Sequence, residues 1–142
     1  MDKTMHIDIV TPEKITFQGD IKEIMAPGIE GEFGVLPGHA PFATVLRAGV
    51  VTIINNSGAE EIIAISGGYV EVESSKVILL VETAEKSEEI DADRAKRKLD
   101  EKERLLKGKS VKDIDFDRIQ ASLLKEMARM KAIEIFQKKR RG

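Results

Sequence analysis

Near residue 85 the sequence changes its pattern, and that change constrains the fold more than anything else in the chain. Nine of the eleven glycines lie between Gly19 and Gly68, whereas positions 85–141 hold no proline and only one glycine. The first part reads as short strands. Met5, Ile7 and Ile9 alternate with His6 and Asp8, the period-2 signature of a strand with one buried face. Similar runs follow at 15–17, 21–26, 42–46, 50–54, 62–65, 69–72 and 77–81. Turn-forming pairs separate them, at Gly19-Asp20, Pro27-Gly28, Pro37-Gly38, Asn55 to Gly58, Gly67-Gly68 and Ser74-Ser75. Strands recurring every 8–12 residues predict a sandwich or barrel.

The second part has helical spacing. Ala92, Ala95, Leu99 and Leu106 fall on one face, with the Lys102 stem laid along it. Asp91 suits an N-cap, flanked by Ile90 and Ala95 as a hydrophobic staple. Gly108-Lys109-Ser110 interrupts the pattern. A second helix is expected from Asp115, stapled by Ile114 and Ile119, about 23 residues and roughly 35 Å long. Its apolar stripe is Phe116, Ile119, Leu123, Met127, Met130 and Ile133, and four cations from Lys138 to Arg141 favour the C-terminal end of its dipole. So thin a hairpin is stable only when docked on something, which makes it a candidate moving element.

Charge divides at the same place. Residues 1–84 carry 5 Lys/Arg against 12 Asp/Glu, net −7, and residues 85–142 carry 18 against 13, net +5, consistent with the overall −2. The expected division is therefore a β unit at 1–84 and a helical unit at 85–142.

Several function classes find little support. The chain has no cysteine, so no thiolate metal or redox motif exists. Its two histidines, His6 and His39, are isolated, and no metal site is expected. Ile65 and Ala64 precede Ser66-Gly67-Gly68, so this is not a nucleophile elbow. Gly28, Gly31 and Gly34 do not form a dinucleotide fingerprint, and no P-loop lysine follows them. No carboxylate pair stands out for acid–base work, and no catalytic residue is assigned. One tyrosine, no tryptophan and an acidic β unit disfavour a base-stacking surface. The polar start, Met1-Asp2-Lys3-Thr4, and the lack of any apolar run near 20 residues predict a soluble, cytoplasm-facing protein. These features favour partner binding over catalysis.

Three stretches carry a resemblance: Gly31-Glu32-Phe33-Gly34-Val35-Leu36-Pro37-Gly38-His39-Ala40-Pro41, Ser66-Gly67-Gly68-Tyr69-Val70-Glu71-Val72 and Ile90-Asp91-Ala92-Asp93-Arg94-Ala95. Together they resemble the epsilon subunits of bacterial F-type ATP synthases, equivalent to the delta subunit of the mitochondrial enzyme. The similarity covers essentially the whole chain.

The resemblance implies an α+β chain, with an N-terminal ten-stranded β-sandwich followed by a C-terminal two-helix antiparallel hairpin. It implies a non-catalytic rotor subunit of the central stalk. The sandwich would bind the gamma subunit and the c ring, at the cytoplasmic face of the bacterial membrane and without inserting into it. The subunit would couple proton flow to ATP synthesis. The hairpin would lie folded on the sandwich, or extend along gamma to the catalytic alpha and beta subunits and inhibit ATP hydrolysis. Glu32 and His39 match positions in loops near gamma and the c ring. Glu85, Asp91, Arg94, Ala95 and Arg129 match positions by which some members bind ATP. Here Glu101 and Lys125 replace expected arginines, so no cofactor is expected beyond weakly held ATP. Arg118, Lys125, Arg129 and Lys131 are the cations expected to act when the hairpin inhibits. The rival reading is a stand-alone adaptor or nucleic-acid-associated protein using the basic tail, which would bind DNA with strong salt dependence.

Overall fold

The computed structural model describes residues 3–107 and 113–141, except the side chains of 113–115 and 139–141. Nine strands come first: β1 (Met5–Val10), β2 (Ile15–Gly28), β3 (Gly31–Val35), β4 (Phe42–Leu46), β5 (Gly49–Asn55), β6 (Glu60–Ile65), β7 (Gly68–Val72), β8 (Lys76–Val81) and β9 (Ala84–Lys86). A 3-10 turn at Ser87–Glu89 leads into α1 (Ala92–Lys107) and α2 (Asp113–Arg141).

The expected sandwich-plus-hairpin architecture is present, with nine strands rather than ten among the described residues. Residues 15–17 and 21–26 are not separate strands: β2 runs through Gly19 and Asp20, which pair with Ile7 and His6 of β1. No turn forms there, because β1 supplies ladder partners along the whole segment. Two strands escape the sequence pattern. β3 pairs with the end of β2, and β9 pairs with β6 through Glu85↔Ala64. The expected junction at residue 85 thus falls inside a strand.

The long β2 links the two layers. Its first half pairs with β1, and beyond the irregularity between Ile21 and Glu23 it pairs with β5 and β3. The ladder order β1-β8-β7-β4-β2-β5-β6-β9 closes on itself through β1 against β2, leaving few free edges. Ile7, Ile9, Ile21, Val51, Ile53, Ile63 and Leu79 are completely buried between the layers. Each contributes about 1.5–3 kcal/mol by leaving water.

A second, smaller cluster lies outside the sandwich. Val50, Ile62 and Ala64 point away from the main core and are covered by Ile90, Ala95, Ala132 and Ile133. This explains why 62–65 is apolar at every position: β6 is buried on both faces. α2 makes the contact with β5 and β6, and α1 packs on α2.

Asp91 caps α1 as expected, its Oδ1 accepting the Arg94 backbone N–H at 3.1 Å. Ile90 and Ala95 are buried together as the staple requires. The second helix departs from expectation. It is 29 residues long and begins at Asp113, and Phe116 and Met127 of the expected stripe are exposed. Its buried face is centred on Ala128, Ala132 and Ile133, where small side chains let the helix approach the sheet closely. The interruption at 108–110 and the Ile114 side chain lie outside the described residues.

Candidate partner-binding surfaces

The predicted nucleotide residues converge in part where the hairpin meets β9. Arg129 on α2 places Nη1 2.8 Å from Glu126 Oε2, to which it donates. Its Nε lies 3.1 Å from Glu85 Oε1 on β9. That N–H is poorly aligned for a hydrogen bond, so the second contact is an ion pair held by proximity. Glu126 is 4% exposed, although its charge gave no reason to place it inside. The signal that could have found it is its spacing of three from Arg129 on one helix. Ala95 is fully buried in the apolar cluster beneath the hairpin. Asp91 and Arg94 are exposed, and the Asp91 carboxylate is engaged as the α1 cap.

The four expected inhibitory cations do not form one available face. Arg118 and Lys131 are exposed, Lys125 is half-buried, and the Arg129 side chain is only 11% exposed. Lys131 instead lines a groove of about 540 Å³ between the hairpin and the sheet, with Glu32, Arg47, Leu124 and Met127.

The two expected loop residues occupy different settings. Glu32 is in β3, opposite Pro27, and faces that groove. His39 follows a turn tied to the β7–β8 connection by the Gly38 N–H to Ser74 oxygen bond of 2.9 Å. Its Nδ1 lies 2.7 Å from the Ala40 carbonyl oxygen, and its ring tilts against Phe42 at 5.2 Å. Both residues are exposed and available to a partner.

One surface was not anticipated. Val45, Tyr69 and Leu80 are directly cross-strand neighbours on β4, β7 and β8, and all three point outward, 48%, 42% and 51% exposed. Their positions in the strand alternation are solvent positions filled by large apolar groups, which was the available signal. His6 lies 3.0 Å from Asp8 and 3.4 Å from Asp20 on the outer face of β1 and β2. Among the described residues no group of three side chains is placed to hold a metal.

The glycine motif has a structural cause. Ser66 Oγ accepts the Thr83 backbone N–H at 3.0 Å, and a Cβ on Gly68 would lie 2.1 Å from the Leu80 carbonyl oxygen. Only glycine lets β7 sit this close to β8.

Residues 4–87 match the model of the ATP synthase delta/epsilon chain β-sandwich domain, and residues 88–134 match that of the delta/epsilon chain long alpha-helix domain. The chain belongs to the ATP synthase delta/epsilon family. Relatives include an ATP synthase epsilon chain of Moorella thermoacetica, 43% identical over 91% of this chain and 96% of that one. Another, from Desulforamulus reducens, is 41% identical over 94% of this chain and all of that one.

Two solved structures share the fold. One is a chain of the Euglena gracilis mitochondrial ATP synthase OSCP/F1/c-ring assembly. Its TM-score is 0.76 at 22% identity, over 93% of this chain and 81% of that one. The other comes from the Tetrahymena thermophila mitochondrial ATP synthase central stalk/c-ring. Its TM-score is 0.61 at 18% identity, over 93% of this chain and 98% of that one. As a member of this family the chain is a non-catalytic component of an ATP synthase. Among the described residues no helix is long and apolar enough to cross a membrane.

Proposed function

We propose that this chain is a rotor subunit of the central stalk, binding gamma through its sandwich and restraining ATP hydrolysis through its hairpin. On this reading it sits on the c ring at the cytoplasmic face of the bacterial membrane. There it couples proton flow to synthesis by holding gamma and the ring as one turning body. The observation that carries the reading is the exposed row Val45, Tyr69 and Leu80. The hairpin already covers the apolar face of β5 and β6, whereas this second apolar face stays open to a partner. Covering the exposed half of three such side chains contributes about 2–4 kcal/mol. Glu32 and His39 then serve as polar contacts near gamma and the ring. ATP binds weakly at the hairpin, because Arg129 is already engaged by two carboxylates. When the hairpin extends, it reaches the catalytic alpha and beta subunits.

The test is capture of purified gamma by the full chain and by Tyr69→Asp and Leu80→Asp. Each substitution should weaken capture at least about tenfold, the equivalent of 1.4 kcal/mol, while leaving the melting temperature of the chain nearly unchanged. Wild-type affinity in both variants would remove this face from the proposal.

A further inference from the structure

We propose that the groove between α2 and the sheet binds a fatty carboxylate, its tail on the apolar walls and its head on Arg47 and Lys131. The groove follows from how α2 packs. Ala128, Ala132 and Ile133 bring the helix down onto β5 and β6. Toward Pro27 and the β4–β5 connection the contact does not close, and a space of about 540 Å³ remains. That volume lies within the roughly 300–1,000 Å³ of small-molecule sites.

The walls suit an aliphatic tail. Ala48 and Val50 line the groove from the sheet side, and Leu124, Met127 and Ile135 line it from α2. Leu124 and Met127 are 49% and 50% exposed, so two large apolar groups stand in water on the wall of a concave site. Methionine adapts its shape to a flexible chain. At roughly 30 Å³ per methylene, close to the share of one water in the liquid, the groove holds one chain of medium length and not the two of a bilayer lipid.

The charged groups suit an anionic head. Arg47, Lys131, Glu32 and Glu134 line the same groove. Glu134 lies 3.8 Å from Lys138. The Arg47 backbone N–H is tied to the Pro27 carbonyl oxygen at 3.0 Å, which fixes the base of its side chain. Its Nη1 makes only a long contact, 3.4 Å, with the adjacent Ala48 carbonyl oxygen. Among the described residues neither Arg47 nor Lys131 has a carboxylate partner. A carboxylate supplies the missing charge and can take two N–H groups of the guanidinium at once. Glu32 repels a head of higher charge, so a carboxylate is favoured over a polyphosphate. Glu85, Asp91, Arg94 and Arg129 do not line the groove, so the site is separate from the expected nucleotide positions. It depends neither on gamma binding nor on restraint of hydrolysis.

Calorimetry on the full chain with dodecanoate, kept below micelle formation, tests this. Binding should saturate at one dodecanoate per chain. Dodecyltrimethylammonium and dodecanol share the tail but should bind at least about tenfold more weakly, having lost the charge-assisted contact. Arg47→Gln combined with Lys131→Gln should weaken dodecanoate at least about tenfold. Both side chains are exposed, so the melting temperature should hold. Glu32→Gln should tighten dodecanoate several-fold. Amide resonances should shift most at Val50, Thr52, Leu124 and Met127, which line the groove. Equal affinity for the three amphiphiles, or unchanged affinity in the double variant, would overturn the site. Binding that never saturates, or shifts centred on Tyr69 and Leu80, would show general adhesion to apolar surface and would also overturn it.

Discussion

Gly68→Ala should be among the most damaging single-methyl additions in this chain. The added Cβ would stand 2.1 Å from the Leu80 carbonyl oxygen and 2.8 Å from Val81 Cα, both backbone atoms of β8. A neighbouring side chain could rotate aside; a paired strand cannot. Restoring ordinary contact requires β7 and β8 to separate by about 1 Å, and Gly68 is paired on both sides, with Val81 and with Leu46 of β4. Two or three ladder hydrogen bonds then weaken, at roughly 1 kcal/mol each. Residual strain adds about 1–2 kcal/mol. The sum, about 3–5 kcal/mol, is a large share of the 5–15 kcal/mol typical of a domain. Urea unfolding followed by far-ultraviolet circular dichroism should show the midpoint falling by about 2 M, taking a slope near 2 kcal/mol/M. Gly34→Ala is the matched control: its Cβ meets nothing nearer than 3.8 Å, so its midpoint should shift by no more than about 0.3 M. Because the displaced carbonyl belongs to Leu80, the variant should also lose the gamma binding proposed for that face. Equal midpoints for the two variants would refute the steric argument.

Ala132→Leu should lift the hairpin without unfolding the sandwich. Ala132 is fully buried against β6, and overpacking costs about 1–3 kcal/mol, a 5- to 150-fold change in the docking equilibrium. Limited proteolysis should cut α2 faster in this variant and leave the strands intact; an unchanged pattern would place the helix elsewhere. Calorimetry with ATP should give dissociation constants near or above the millimolar range, because Glu85 and Glu126 already neutralise Arg129. Glu101→Arg should tighten whatever binding exists by several-fold, and micromolar binding by the wild-type chain would contradict this reading.

What could be seen in the sequence depended on the kind of interaction. Alternation at Met5, Ile7 and Ile9 and the cap at Asp91 are local effects, and they were legible. Glycine at position 19 resembled a turn, yet only the pairing of β1 along 15–21 decides that the strand continues. β9 has three residues and no pattern, and exists because β6 offers it an edge. On α2, large apolar residues suggested the stripe, but closeness to the sheet selected Ala128 and Ala132 and left Met127 in water. Of the candidate site, Glu85 and Arg129 could be named from the resemblance. Their contact with each other and with Glu126 required the docked helix. Alternation alone marks Val45, Tyr69 and Leu80 as outward positions, but their union in one row depends on pairing β4 with β7, strands distant in sequence.

The proposed function has the sandwich keep the subunit in the complex while the hairpin restrains hydrolysis. Its most direct test is the ATPase rate of the reconstituted ATP synthase containing either the full chain or residues 1–90, which retain β9 and the following 3-10 turn. Both chains should stay bound through assembly, and the truncated complex should hydrolyse ATP several-fold faster, on the scale of an equilibrium moved by about 1–2 kcal/mol. Equal rates at every nucleotide concentration, with both chains retained, would contradict it.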